Sequence, residues 1–116
     1  MKIIRPSHAD WEEGKGYRKR IVVPELDLGI EGSFIQEVSF RPGVSVPMHY
    51  HKFTKEVFIP LDEAEFSIQG QDVALRPGEI LICEPGDVHG NPVIRRAFNI
   101  LVLKVGYVPD DTVWLG

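Results

Sequence analysis

The chemistry available to this chain concentrates in a few side chains. His49 and His51 form a His-x-His pair, and His89 follows 38 residues after His51. In a strand, residues i and i+2 point to the same side, so His49 and His51 present two imidazoles together, an arrangement that grips one metal ion. Pro47, just before them, marks a strand start or an edge. Glu56 lies five residues after His51, an odd spacing that would put it on the opposite face of one straight strand. The intervening Lys52-Phe53-Thr54-Lys55 is polar enough for a bend. If the chain reverses there, Glu56 opens the next strand, ahead of the apolar run Val57-Phe58-Ile59, and faces back toward the histidines. His89 follows Pro85-Gly86-Asp87-Val88, a turn able to deliver it to the same point from another strand.

Each residue also has a plainer reading. His-x-His alone is a weak signal. Glu56 alone reads as a solvent-facing strand residue paired with a lysine. His8, in a polar stretch, reads as a surface histidine, and Cys83, ending Ile80-Leu81-Ile82-Cys83, as a small buried hydrophobe. No nucleophile sits with a base, so Ser–His–Asp chemistry is not expected.

The elements that must position these groups read as strands. Glycine and proline, 11 and 9 in number, punctuate short apolar stretches rather than pooling in a linker, the pattern of an all-β domain. Arg41-Pro42-Gly43, Arg76-Pro77-Gly78 and Glu84-Pro85-Gly86 read as tight turns. Strands are expected at 17–23, 33–41, 56–61, 65–69, 71–75, 79–83 and 99–105, with turns at Asp62-Glu63 and Gln69-Gly70. Along 33–41, Phe34, Val38 and Phe40 share one face, which Gln36 interrupts. Gln36 is either a contact inside a cavity or a strand-end residue in water. Phe53, Phe58, Phe66 and Phe98 are core candidates, Tyr50 should face outward, and Asp10 to Gly14 suits one turn of helix. Seven or more short strands in one small domain leave a sandwich or a barrel, which periodicity does not separate.

Length and charge set the outer limits. With 116 residues the chain holds a single domain, read as a core over 17–107 with an N-terminal arm 1–16 and a short tail 108–116. The net charge of −4 argues against nucleic acid as a partner. No apolar run reaches the ~20 residues of a membrane helix, and the start lacks a signal-peptide stretch. One cysteine forms no internal disulfide and suits a cytoplasmic setting. Arg18-Lys19-Arg20 and Arg95-Arg96 read as solvated strand faces, with an anion site near Arg95 or Arg96 as the alternative.

The spacing Gly43-x5-His49-x-His51-x4-Glu56, followed by Gly78-x5-Glu84-Pro85-Gly86-x2-His89, closely resembles the two signature motifs of the cupin superfamily, in its small single-domain prokaryotic form. Three positions depart from the motifs. Glu63 stands where the first motif usually closes on glycine. Glu84 stands for a proline. Val93 stands for an asparagine, whose place Asn91 can take. The resemblance implies a double-stranded β-helix, the jelly-roll cupin barrel of two antiparallel sheets. It also implies one divalent transition metal ion held by His49, His51, Glu56 and His89. Nitrogen–oxygen ligation suits Fe, Mn, Ni, Cu, Co or Zn equally. Three neutral imidazoles, one carboxylate and M²⁺ sum to +1, which favours an anionic or enolisable oxygen ligand. A closed structural zinc is disfavoured because such sites usually recruit cysteine, and none is expected nearby.

The function so implied is a metal-dependent enzyme acting on a small oxygen-rich or carbohydrate-like molecule. It would work by oxygenation, or by isomerisation, epimerisation or elimination, with Glu56 also able to move a proton. The alternative is a non-catalytic ligand- or sugar-binding module, although the flanks of the barrel leave little room for a partner domain. Small cupins also suggest a homodimer, with contacts near Ile21 to Val23 and the tail Val113-Trp114-Leu115 docking across the interface.

Overall fold

The structure is a computed structural model that describes residues 1–7 and 10–116; His8 lies outside the described residues. Its strands are β1 (Glu12–Glu13), β2 (Tyr17–Val23), β3 (Phe34–Phe40), β4 (Val46–His51), β5 (Lys55–Pro60), β6 (Ala64–Ile68), β7 (Gln71–Leu75), β8 (Leu81–Cys83), β9 (His89–Asn91), β10 (Phe98–Val105) and β11 (Thr112–Trp114), with one short helix α1 (Glu25–Leu28). All pairings are antiparallel and make two sheets, β1-β2-β3-β10-β5-β8 and β11-β4-β9-β6-β7. No helix among the described residues is long and apolar enough to cross a membrane.

Turn chemistry sets the strand ends. Gly43, Gly78 and Gly86 all have positive φ, as the Pro-Gly turns require. Gln69 and Gly70 are both left-handed, with φ of 50° and 76°, the backbone of a two-residue hairpin between β6 and β7. The facing sheets bury an aromatic floor. Phe40 stacks on Phe98 at 4.6 Å between ring centroids, and Phe66 packs against both Phe98 and Phe58 at 5.7 and 5.2 Å. The clean alternation of β10 aims Phe98, Ile100, Val102 and Lys104 inward.

Several expectations are corrected. Phe53 is 65% exposed, because it sits in the bend after β4 rather than in a strand. Glu12 and Glu13 pair with Lys19 and Arg18 as a strand instead of opening a helix, since extended backbone there satisfies amides of β2. The strand expected from Glu79 begins at Leu81. The tail docks within its own chain: Thr112–Trp114 extends the second sheet along β4, placing Trp114 opposite His49. Arg95 and Arg96 form exposed ion pairs with Glu65 and Glu63, whereas Arg20 is largely buried against Glu37 at 2.7 Å.

Candidate metal centre

His49 and His51 project from β4 into the barrel and His89 from β9; none is more than 8% exposed. Their strands pair so that His49 stands opposite His89, with a bulge between Val46 and His49. The approach is tight. A Cβ on Gly90 would lie 2.9 Å from the carbonyl oxygens of Val46 and Pro47, so only glycine lets β9 close onto the bulge. The three ring centroids then lie 4.3 to 5.3 Å apart.

The outer ring nitrogens are all engaged. His49 Nδ1 lies 2.8 Å from the Pro47 carbonyl, and His89 Nδ1 lies 2.8 Å from the Asp87 carbonyl. A carbonyl only accepts, so both Nδ1 atoms donate, and in the neutral rings each Nε2 is left with its lone pair. His51 Nδ1 is 3.0 Å from the Thr112 hydroxyl, which β11 supplies. Such outer partners fix imidazoles for metal binding.

Glu56 reaches the same point from the opposite sheet. The bend at residues 52–54 turns the chain, and β5 carries Glu56 inward at 4% exposure. Its Oε1 lies 2.8 Å from His51 Nε2 and 3.2 Å from His89 Nε2, yet makes no hydrogen bond and is fully buried. Its Oε2 accepts from the Lys104 ammonium at 2.7 Å. A buried carboxylate oxygen facing two imidazole nitrogens needs a positive charge between them, either a proton on a ring or a metal ion. These buried His and Glu side chains could therefore bind a metal ion. Ligand atoms of His49, His51 and His89 lie within 4.8 Å of one another, as do those of Glu56, Cys83 and His89.

The protonation pattern follows from these contacts. Burial, then the neighbouring His89, holds His49 down to about 4, partly offset by its bond to Pro47. Burial would also lower His89, but Cys83 and Glu56 together push it up to about 10. Burial would raise Glu56, but the Lys104 charge and the two imidazoles keep it well below the usual carboxylate range. With no ion bound, His89 carries the proton that faces Glu56.

Above the cluster lies a cavity of about 540 Å³, in the size range of small-molecule sites. Its walls include Phe40, Phe58, Phe66 and Trp114, and its polar lining includes Tyr17, Gln36 and Lys104. Gln36 is 8% exposed and faces this space, whereas Tyr50 does not border it. Burial, and then the charge of Glu56, raises the Tyr17 phenol, which is therefore held neutral.

Comparison with solved structures gives the fold its name. The polyketide cyclase RemF of Streptomyces resistomycificus superposes with a TM-score of 0.75 at 20% identity, over 99% of this chain and 87% of that one. A cupin-like protein of Thermotoga maritima superposes with a TM-score of 0.71 at 17% identity, over 96% and 83% of the two chains. The chain has the cupin fold. Among curated proteins, the tetracenomycin polyketide synthase protein TcmJ of Streptomyces glaucescens is 27% identical over 123 residues, covering 97% of this chain and 79% of that protein. No protein-family model matches the chain.

The cupin barrel absorbs the three motif departures. Glu63 lies in the β5–β6 turn and pairs with Arg96 at the surface. Glu84 is exposed and reaches Lys55. Asn91 is buried at 4% and donates to the Glu65 carbonyl at 2.6 Å, a bond Val93 has no means to make. Two residues at the centre escaped the sequence reading. Cys83 was set apart from the histidines, but its Sγ lies 3.2 Å from His89 Nδ1, because β8 pairs with β5 and puts Cys83 opposite Glu56. Lys104 lies in the stretch 99–105, expected as a strand, among apolar residues. Its parity with Ile100 and Val102 was the available signal that it points inward, and its register partner is Glu56. The positive charge of Lys104 raises the sum for a metal-loaded centre from +1 to +2.

Proposed function

We propose that this chain is a metal-dependent enzyme in which His49, His51, His89 and Glu56 hold one divalent transition metal ion, and in which the cavity takes a small, carbonyl-rich molecule. The observation that carries this reading is the buried Glu56 Oε1, which the imidazole nitrogens of His51 and His89 approach at 2.8 and 3.2 Å and which no other hydrogen-bond donor meets. When bound, the ion supplies Lewis-acid polarisation of a carbonyl oxygen. Glu56, a carboxylate able to shift off the ion, would take or return a proton. Gln36 and the neutral Tyr17 orient the polar end of the substrate, and the aromatic floor excludes water. Likeness to a polyketide cyclase and to a polyketide synthase protein supports a substrate rich in enolisable carbonyls over a sugar.

The test has two stages. Protein stripped with chelator is titrated with each candidate ion by calorimetry, with elemental analysis for stoichiometry. One ion per wild-type chain is expected, and none in His51→Ala or His89→Ala. Loaded protein is then mixed with 1,3-dicarbonyl compounds in deuterium oxide, and exchange of the acidic C–H is followed by NMR. Wild type should accelerate exchange and His51→Ala should not. Metal uptake unchanged in both histidine variants would overturn the reading.

A further inference from the structure

Lys104 is the centre's second charged side chain, and nothing in the four-residue ligand set accounts for it. Its side chain is only 11% exposed, it borders the cavity, and it pairs with Glu56 Oε2 at 2.7 Å. An ammonium has three protons. Among the described residues Glu56 is its sole partner, so two protons remain for the cavity. The two oxygens of Glu56 divide the work: Oε1 faces the imidazoles and Oε2 faces Lys104. One carboxylate thus separates the ammonium from the histidine cluster, and a single small molecule can touch both. The other carboxylates bordering the cavity, Asp10 and Glu12, are exposed at its rim and do not neutralise the interior.

Resting on the proposed metal site, we infer that Lys104 selects anionic substrates: small molecules with two oxygen-bearing ends, carboxylate or enolate, one directed at the histidine cluster and the other at Lys104. A loaded centre of net +2 charge in a low-dielectric barrel attracts such an anion strongly, and it discriminates against a neutral molecule of the same shape.

Malonate and its neutral isostere malonamide are the probes. Both are titrated by calorimetry and NMR against metal-loaded and metal-free protein, in wild type, Lys104→Met and Lys104→Arg, with a thermal melt on each. Loaded wild type should bind malonate at least tenfold more tightly than malonamide, a discrimination that Lys104→Met lowers by about tenfold and Lys104→Arg largely restores. The metal itself should bind Lys104→Met as tightly as wild type or more so, because a neighbouring positive charge has been removed. A merely structural lysine would instead weaken metal and malonate together. Equal malonate affinity in wild type and Lys104→Met, with metal bound to both, overturns the inference. Wild type that takes up no metal overturns the proposed function instead, and the metal-free titration then judges Lys104 alone. Should Lys104→Met not fold, Lys104→Gln is read in its place by the same criteria.

Discussion

The chain buries two carboxylates that lie close in space to His51, and the protein treats them in opposite ways. Asp111 is saturated. Its oxygens accept from the amides of Lys52, Phe53 and Thr54 at 2.8 to 3.1 Å and from the Thr54 hydroxyl at 2.6 Å. Glu56 has one oxygen on Lys104, and the other faces only the ring nitrogens of His51 and His89. A buried carboxylate oxygen whose only donors are titratable imidazoles loses them when the rings are neutral, a cost of several kcal/mol that a fold selected for stability alone would avoid. The Asp111 clamp shows that this fold can supply fixed donors. The difference separates a carboxylate that holds a loop from one that, on the proposed reading, serves the metal ion.

The sharpest way to break this contrast is to neutralise each carboxylate in turn. Glu56→Gln keeps the shape but removes the charge from the open oxygen. Metal affinity should fall by about 100-fold or more, on the order of 3 kcal/mol, while Lys104 keeps an amide oxygen to bond. Isothermal titration of stripped protein measures it, and an affinity within threefold of wild type would make Glu56 a structural residue like Asp111. Asp111→Ala should act on the other axis. It frees the amides of Phe53 and Thr54 and the Thr54 hydroxyl just beneath the surface, where water can partly replace the lost acceptor, while the Lys52 amide keeps the main-chain carbonyl of residue 111. The expected loss is about 2–3 kcal/mol, or roughly 10 °C in Tm. Metal stoichiometry should survive, and calorimetric melting beside metal titration would show the two effects parting.

Acid and base should separate the two regions as well. Asp111 is raised by burial but lowered overall by Thr54 and the loop amides. Its contribution is present above its ordinary value of 3.8 and is lost as pH falls through the lower folded one. His89 runs the other way in the metal-free protein. Raised from 6.5 to about 10, it contributes fully below 6.5 and loses that contribution as pH climbs toward 10. Metal must displace that proton, whereas His49, at about 4, is already neutral. Metal affinity should therefore rise about tenfold per pH unit between pH 7 and 9, with one proton released per ion. Titration in buffers of different ionisation enthalpy counts that proton, and release of none would mean that His89 is neutral in the empty site.

Much of this contrast was legible in the sequence. Period-two alternation and the Pro-Gly turns located most strands, and the spacing of His49, His51, Glu56 and His89 resembled the cupin motifs closely enough to suggest the barrel. What escaped depends on partners distant in the chain. Asp111 reads as a polar tail residue until β11 is known to run beside β4. Cys83 reads as a hydrophobe until β8 pairs with β5. Lys104 looks like a defect in an apolar strand until the register sets it opposite Glu56. Local pattern gives the face of a strand, but not which strand lies across from it.

The smallest expected effect sharpens the boundary between the two regions, because β11 serves both. Asp111 clamps the loop after His51, and the next residue, Thr112, meets His51 Nδ1 at 3.0 Å. Thr112→Val keeps the β-branched shape, the strand pairing and the Asp111 clamp, and removes only the hydroxyl. His51 would still face inward but would lose the partner that fixes its ring. Metal affinity should drop by about tenfold, the lower end for loss of an outer partner, with Tm of the metal-free protein changed by no more than a few degrees. If instead Tm falls as far as in Asp111→Ala while metal affinity holds, Thr112 belongs to the clamp. The support for His51 would then come from packing within the barrel, with the ring placed by its neighbours rather than by that hydroxyl.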